Sequence, residues 1–96
     1  MRFEWDGRKA AANLKKHAVS FDEAVTVFYD ALAATFGDLD HSAEENRLIT
    51  VGYATSGRLL VVSHVEGPNA TRIISARRAT RRERKRHEDE APGSRG

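Results

Sequence analysis

The sequence predicts an α+β fold with helices at both ends and a run of antiparallel strands between them. Three observations predict it. Residues 6, 20 and 80 each offer a helix-capping side chain ahead of a helical pattern. Residues 31–77 instead carry short β-rich runs broken by glycine and polar turns. A chain of 96 residues is also too short for a second core, so residues 1–90 are expected to form one domain, with a disordered tail over 91–96.

Residues 2–5 bring two aromatics into a short first strand. The Asp6 carboxylate can accept the free N–H groups of a first helix running from Gly7 to about His17. Ala10, Leu14 and Ala18 repeat at helical spacing and give that helix a thin apolar face. Ser20 and Glu23 then form an S-x-x-E capping box, and Val19 can staple onto Ala24. Phe21, Ala24, Val25 and Phe28 continue a second helix over about 21–29.

Residues 31–38 read as a strand and the acidic stretch 38–45 as a loop. The runs 47–54 and 58–66 form a hairpin about Thr55-Ser56-Gly57, where glycine supplies a positive φ. A two-residue turn at Ser56-Gly57 would set Arg47 opposite Glu66 and Ile49 opposite His64. A longer loop shifts that register by one and turns the opposite faces inward. Gly67-Pro68-Asn69 turns the chain into a last strand over 71–77. Thr80-Arg81-Arg82-Glu83 repeats the capping box and opens a final helix to about Asp89. One face of the meander should pack on the two early helices, leaving the other open to a ligand.

Charge divides the chain. Residues 1–71 hold 7 Lys+Arg against 10 Asp+Glu, a net of −3, and residues 72–96 hold 9 against 4, a net of +5. The cationic last quarter suits phosphate. No cysteine is present, which rules out disulfides and thiolate metal sites and fits a reducing cytoplasm. No apolar run approaches the ~20 residues of a membrane span, and the N-terminus lacks a signal-peptide pattern. The four histidines at 17, 41, 64 and 87 lack metal-ligand spacing, so no metal or other cofactor is expected.

In order along the chain come FEWD at 3–6, N-x-x-K-H at 13–17, V-S-F-D-E-A at 19–24 and V-F-Y-D at 27–30. They are followed by D-x-D-H-S at 38–42, E-x-R at 45–47, GR-L-x-V-V at 57–62 and R-I-I-S-A-R-x-A-T-x-x-E at 72–83. This ordered set resembles the BrnT family of type II toxins. The resemblance implies a RelE-like fold, with two N-terminal helices packed on an antiparallel sheet and a C-terminal helix. It implies a ribonuclease that needs no metal and a BrnA-type ribbon-helix-helix antitoxin. Operator DNA would be met only through the toxin–antitoxin complex. The chain departs from the family pattern at Ala31, Gly37 and Leu39, where prolines are common, and at His87-Glu88, where a tyrosine often precedes the glutamate.

A metal-free cut uses the RNA 2′-OH as nucleophile, so it needs a base, an acid and cations around phosphorus. Arginine suits the last role, because its planar fork matches phosphate oxygens. Arg77, at the strand end before the last capping box, is the favoured candidate, followed by Arg72 and Arg47. Arg72 and Arg77 are five residues apart, so on a regular strand they point to opposite faces. At most one of them then lines the open face, unless the strand is bulged or ends before Arg77. His17 and His41 are candidate proton carriers and Glu45 a candidate acid or base. His17 ends the first helix, where a cation is favoured for structural reasons alone. His64, in a strand, reads more simply as a packed residue. Lys15, Lys16, Arg78, Arg81, Arg82, Lys85 and Arg86 are candidates for holding the RNA backbone. Two other readings stand beside the ribonuclease: a non-catalytic nucleic-acid-binding module, which charge alone supports, and an interaction protein that works through a sheet edge or the first helix.

Overall fold

The structure, a computed structural model, describes residues 1–40 and 46–90. The elements follow in the order β1 (Phe3–Glu4), α1 (Gly7–His17), α2 (Phe21–Thr26), β2 (Ala34–Gly37), β3 (Arg47–Tyr53), β4 (Leu59–Glu66), β5 (Thr71–Arg78) and α3 (Arg81–Glu90). A 3₁₀ turn, Val27–Tyr29, extends α2. No helix among the described residues is long and apolar enough to cross a membrane. The expected tail over 91–96 lies outside the described residues.

Local capping chemistry sets the helix starts. Asp6 Oδ1 accepts from the amides of Arg8 (2.7 Å) and Lys9 (3.3 Å). Ser20 Oγ accepts from Glu23 N at 3.0 Å. At α3 the capping box is reciprocal: Glu23's counterpart, Glu83, gives its amide to Thr80 Oγ1 at 3.1 Å and accepts from Thr80 N at 2.8 Å. The strand expected over 31–38 is shorter, because Asp30 turns the chain first. Its Oδ1 accepts from Leu32 N (3.0 Å) and its carbonyl from Ala33 N (3.1 Å).

The sheet has the order β1-β5-β4-β3-β2. β2 to β5 form an antiparallel meander, but β1 pairs with β5 in parallel, so the sheet is mixed rather than antiparallel throughout. The hairpin uses the longer of the two possible loops. Gly57 has φ +91° and its amide donates to Ala54 O, while Ala54 N donates to Arg58 O. Arg47 therefore faces Val65 and Ile49 faces Ser63.

One face packs on α1 and α2. Val19, Phe21, Ala24 and Val27 meet Ala54, Leu60, Val62, Ile73 and Ala76 in the main core. The buried residue of α1 is not on the expected apolar face: Leu14 is 52% exposed, whereas Asn13 is buried. The Asn13 amide donates to the carbonyls of Val19 (2.9 Å) and Ala76 (2.8 Å), and Ala76 N donates to Asn13 Oδ1 at 3.1 Å. Ala76 lies beyond the reach of the short β1, so its outward backbone groups need a partner, and an amide side chain supplies donor and acceptor at once.

The same face also carries a polar chain. Thr35 and Thr50 share a hydrogen bond of 2.7 Å, and Thr50 shares another of 2.7 Å with His64 Nε2. His64 is fully buried, edge-on to Phe28, and burial lowers its pKa. Its Nδ1 lies 3.1 Å from a Glu66 oxygen without the alignment of a hydrogen bond. His64 is thus the packed residue its strand position suggested.

Replacing Asn13 by alanine leaves three buried backbone groups without partners. The expected loss is about 2–4 kcal/mol of unfolding free energy, read from the urea midpoint at unchanged slope.

Candidate active site at the β5–α3 corner

β5 carries one residue more than β4 at its middle. Ser63 pairs with Ser75 and His64 with Ile73, so Ile74 is extra. The bulge resets the alternation: Arg72 pairs with Val65 and Arg77 with Val61, both on the face turned away from α1 and α2. Arg47, opposite Val65 on β3, shares that face. Arg72 and Arg77 would point apart on a regular strand, and the bulge is the exception that sets them on one face.

Sharing a face does not bring the three arginines together. Val61 and Val65 are four residues apart, so Arg77 stands about 13 Å along the sheet from the row of Arg47 and Arg72. Arg72 pairs with Glu4 at 3.6 Å, largely in solvent, and lines a separate cleft with Trp5, Asp6 and Lys9. Arg47 has an interaction of its own. His41 and Glu45 lie outside the described residues.

The second face is also less open than expected. Val51, Leu59 and Val61 are buried on it, and α3 covers the end near Tyr53, where His87 packs edge-on to the Tyr53 ring at 5.9 Å. His87 is buried, and its Nε2 has no partner among the described residues.

At that same end of the sheet an open cleft of about 610 Å³ is lined by His17, Arg58, Leu59, Arg77, Arg78, Ala79, Thr80 and Arg84. Three sequence candidates thus converge there: His17 from the last turn of α1, and Arg77 and Arg78 from the end of β5. The guanidinium of Arg77 forks onto Glu83, with Nη1 to Oε1 at 2.8 Å and Nη2 to Oε2 at 2.9 Å. That fork holds the Glu83 carboxyl at about 2, so Glu83 stays ionised and is no proton carrier at neutral pH. The Arg78 and Arg84 side chains have no hydrogen bond or ion pair among the described residues and are free to meet an anion. No group of three or more His, Asp or Glu side chains among the described residues is placed to hold a metal ion.

The other basic candidates are not in the lining of this cleft and lie on the exposed surfaces of α1 and α3. Lys15 and Lys16 are exposed on the last turn of α1. Arg81, Arg82, Lys85 and Arg86 are exposed on α3, with Lys85 and Arg86 paired one turn on to Asp89 (3.7 Å) and Glu90 (3.2 Å). Such surface pairs are weak and leave both cations available.

A model of the BrnT family, described as ribonuclease toxins of type II toxin–antitoxin systems, matches residues 5–83. The chain belongs to the BrnT family. Its fold is that of the crystal structure of the Brucella abortus ribonuclease toxin BrnT. The TM-score is 0.67 and the identity 24%, over 84% of this chain and 99% of the Brucella chain. No curated protein matches. The toxin is therefore a ribonuclease of a type II system, with RNA as target and an antitoxin as partner.

Two of its cleft residues, Arg58 and Arg84, were not singled out by sequence spacing. Arg84 could have been, because it lies one helical turn from Thr80 on α3. Arg58 gave no such signal. Its partners, Ala18 and Glu23, lie 40 and 35 residues away.

The Arg77–Glu83 fork makes acid stability a direct readout of this corner. In the unfolded chain Glu83 titrates in the ordinary carboxylate range, and in the folded toxin at about 2. Its contribution is complete above the unfolded value and is lost as the pH falls toward the folded one. The melting temperature of Glu83→Gln should lie below wild type at pH 7, with the gap closing between roughly pH 5 and pH 2.

Proposed function

We propose that the toxin cleaves RNA without a metal at the β5–α3 corner, by attack of a 2′-oxygen on the adjacent phosphorus. The observation that carries this reading is one cleft at the end of the sheet whose lining includes His17 together with Arg77, Arg78 and Arg84. The 2′-OH loses its proton as the 2′-oxygen bonds to phosphorus. The P–O5′ bond breaks, and the departing oxygen takes a proton. The products are a 2′,3′-cyclic phosphate and a free 5′-OH.

His17 is the proton carrier, because among the described residues the lining holds no carboxylate and no other imidazole, and the Glu23 and Glu83 carboxylates beyond it are both committed to arginines. Arg77, oriented by Glu83, clamps the scissile phosphate, and Arg78 and Arg84 neutralise its growing charge. Lys15, Lys16, Arg81, Arg82, Lys85 and Arg86 hold flanking phosphates. Arg72 and Arg47 fall to the far end of the same sheet face and serve the path of the strand rather than the reacting centre. His41 and Glu45 remain candidates for the second proton transfer by side-chain chemistry alone. A BrnA-like ribbon-helix-helix antitoxin neutralises the toxin and carries the complex to operator DNA, and the chain acts in the cytoplasm as one domain over residues 1–90.

The test is incubation of the purified chain with RNA in EDTA. The expected products end in a 2′,3′-cyclic phosphate, an all-deoxy oligonucleotide stays intact, and His17→Gln lowers kcat by roughly 10²–10⁴-fold. A salt-sensitive mobility shift without any cleavage would favour the binding-module reading instead.

A further inference from the structure

Ala18 has φ +57°, and among the described residues it is the one non-glycine position in the left-handed region. It caps α1 directly after His17, with its amide donating to Leu14 O at 2.9 Å. Glycine is the usual residue at such a cap, because a Cβ makes this conformation costly. Something outside the helix must hold alanine there.

Two side chains grip the segment. Asn13 binds the carbonyl of Val19 from the core. Arg58 reaches across from the start of β4 and donates from Nη2 to the carbonyl of Ala18 at 3.0 Å. Arg58 is itself braced: its Nε donates to Glu23 Oε2 at 2.8 Å, its Nη2 also meets Glu23 Oε1, and Ser56 Oγ donates to Glu23 Oε2 at 2.6 Å. The brace uses the carboxylate that sequence assigned to the capping box of α2. Thr55 N adds a tie from the hairpin loop to Thr26 Oγ1 at 3.0 Å. The hairpin tip is thus fastened to the α1–α2 corner at the residue that follows the cleft histidine.

We propose that Arg58 is a positioning residue: by holding Ala18 in its left-handed cap through a guanidinium braced on Glu23, it fixes the imidazole of His17 in the cleft. This rests on the reading of His17 as the proton carrier. Arg58 lines the same cleft, so the rival role is direct phosphate binding, and the two roles separate cleanly. Lysine keeps the charge of Arg58 but cannot span Glu23 and the Ala18 carbonyl together.

In the full-length Arg58→Lys variant, kcat for RNA cleavage should fall roughly ten- to a hundred-fold, as for a misplaced reacting group, while KM changes by less than about three-fold. The His17 ring resonances of the free protein should shift or broaden relative to wild type. Adding Ala18→Gly, which adopts the cap without a Cβ penalty, should return both the kcat and the resonances toward wild type. Glu23→Gln, which weakens the brace and leaves Arg58 in place, should move both readouts the same way by a smaller amount. Unmoved His17 resonances in Arg58→Lys, or a loss confined to KM, or no recovery with Ala18→Gly, would overturn the proposal. The resonances need no substrate. A wild-type protein that cuts no RNA would therefore defeat the ribonuclease site and still leave the positioning of His17 decided by them.

Discussion

Asn13 and Glu83 grip adjacent residues of β5, Ala76 and Arg77, from opposite faces of the sheet. On one face the Asn13 amide completes the hydrogen bonding of a strand edge that β1 is too short to cover, and so seats α1. On the other, the Glu83 carboxylate caps α3 and forks onto Arg77, which seats α3. The cleft is the space these two attachments leave at the end of the sheet. Each attachment joins elements far apart in the chain, and each brings a residue to the cleft lining: α1 delivers His17, and α3 delivers Arg84 beside the end of β5.

The two attachments differ in character. Asn13 is buried, and its bonds satisfy backbone groups that would otherwise be orphaned, so its contribution is to folding. The Arg77–Glu83 fork is partly exposed, with 41% and 36% of the two side chains open to solvent, and contributes less to stability. Its larger effect is geometric. It fixes the plane of one guanidinium while leaving its Nε and outer face available to a phosphate oxygen. The buried chain from Thr35 through Thr50 to His64 works in a third way. It ties β2, β3 and β4 into one register, because a one-residue slip would carry Thr50 and His64 to opposite faces.

What the sequence made legible was local. Asp6, Ser20 and Thr80 cap their helices within three residues of themselves, and all three starts are as expected. The hairpin was legible in kind through Gly57, but not in register, since Thr55-Ser56-Gly57 fits two loop lengths. The bulge at Ile74 left no mark, because its cause is pairing with β4 and not a glycine in β5. The parallel pairing of β1 likewise depends on where the chain returns some 70 residues later. Of the cleft lining, His17, Arg77 and Arg78 were among the residues singled out by type and by position at element ends. Arg72 and Arg47 were chosen by the same criterion, yet they sit at the opposite end of the strands, and residue type carries no information on which end is which. Arg58 was illegible because its meaning lies wholly in contacts 35 to 40 residues distant.

The corner can act on RNA only if an RNA phosphate occupies the cleft between β5 and α3. Backbone and imidazole resonances of the uniformly labelled toxin, followed through titration with a short 2′-O-methyl RNA that cannot be cut, test it most directly. The largest shifts should fall on His17, Arg77, Arg78, Ala79, Thr80 and Arg84, and should diminish as salt is raised. Shifts centred instead on Trp5, Lys9 and Arg72, with the corner undisturbed, would contradict it.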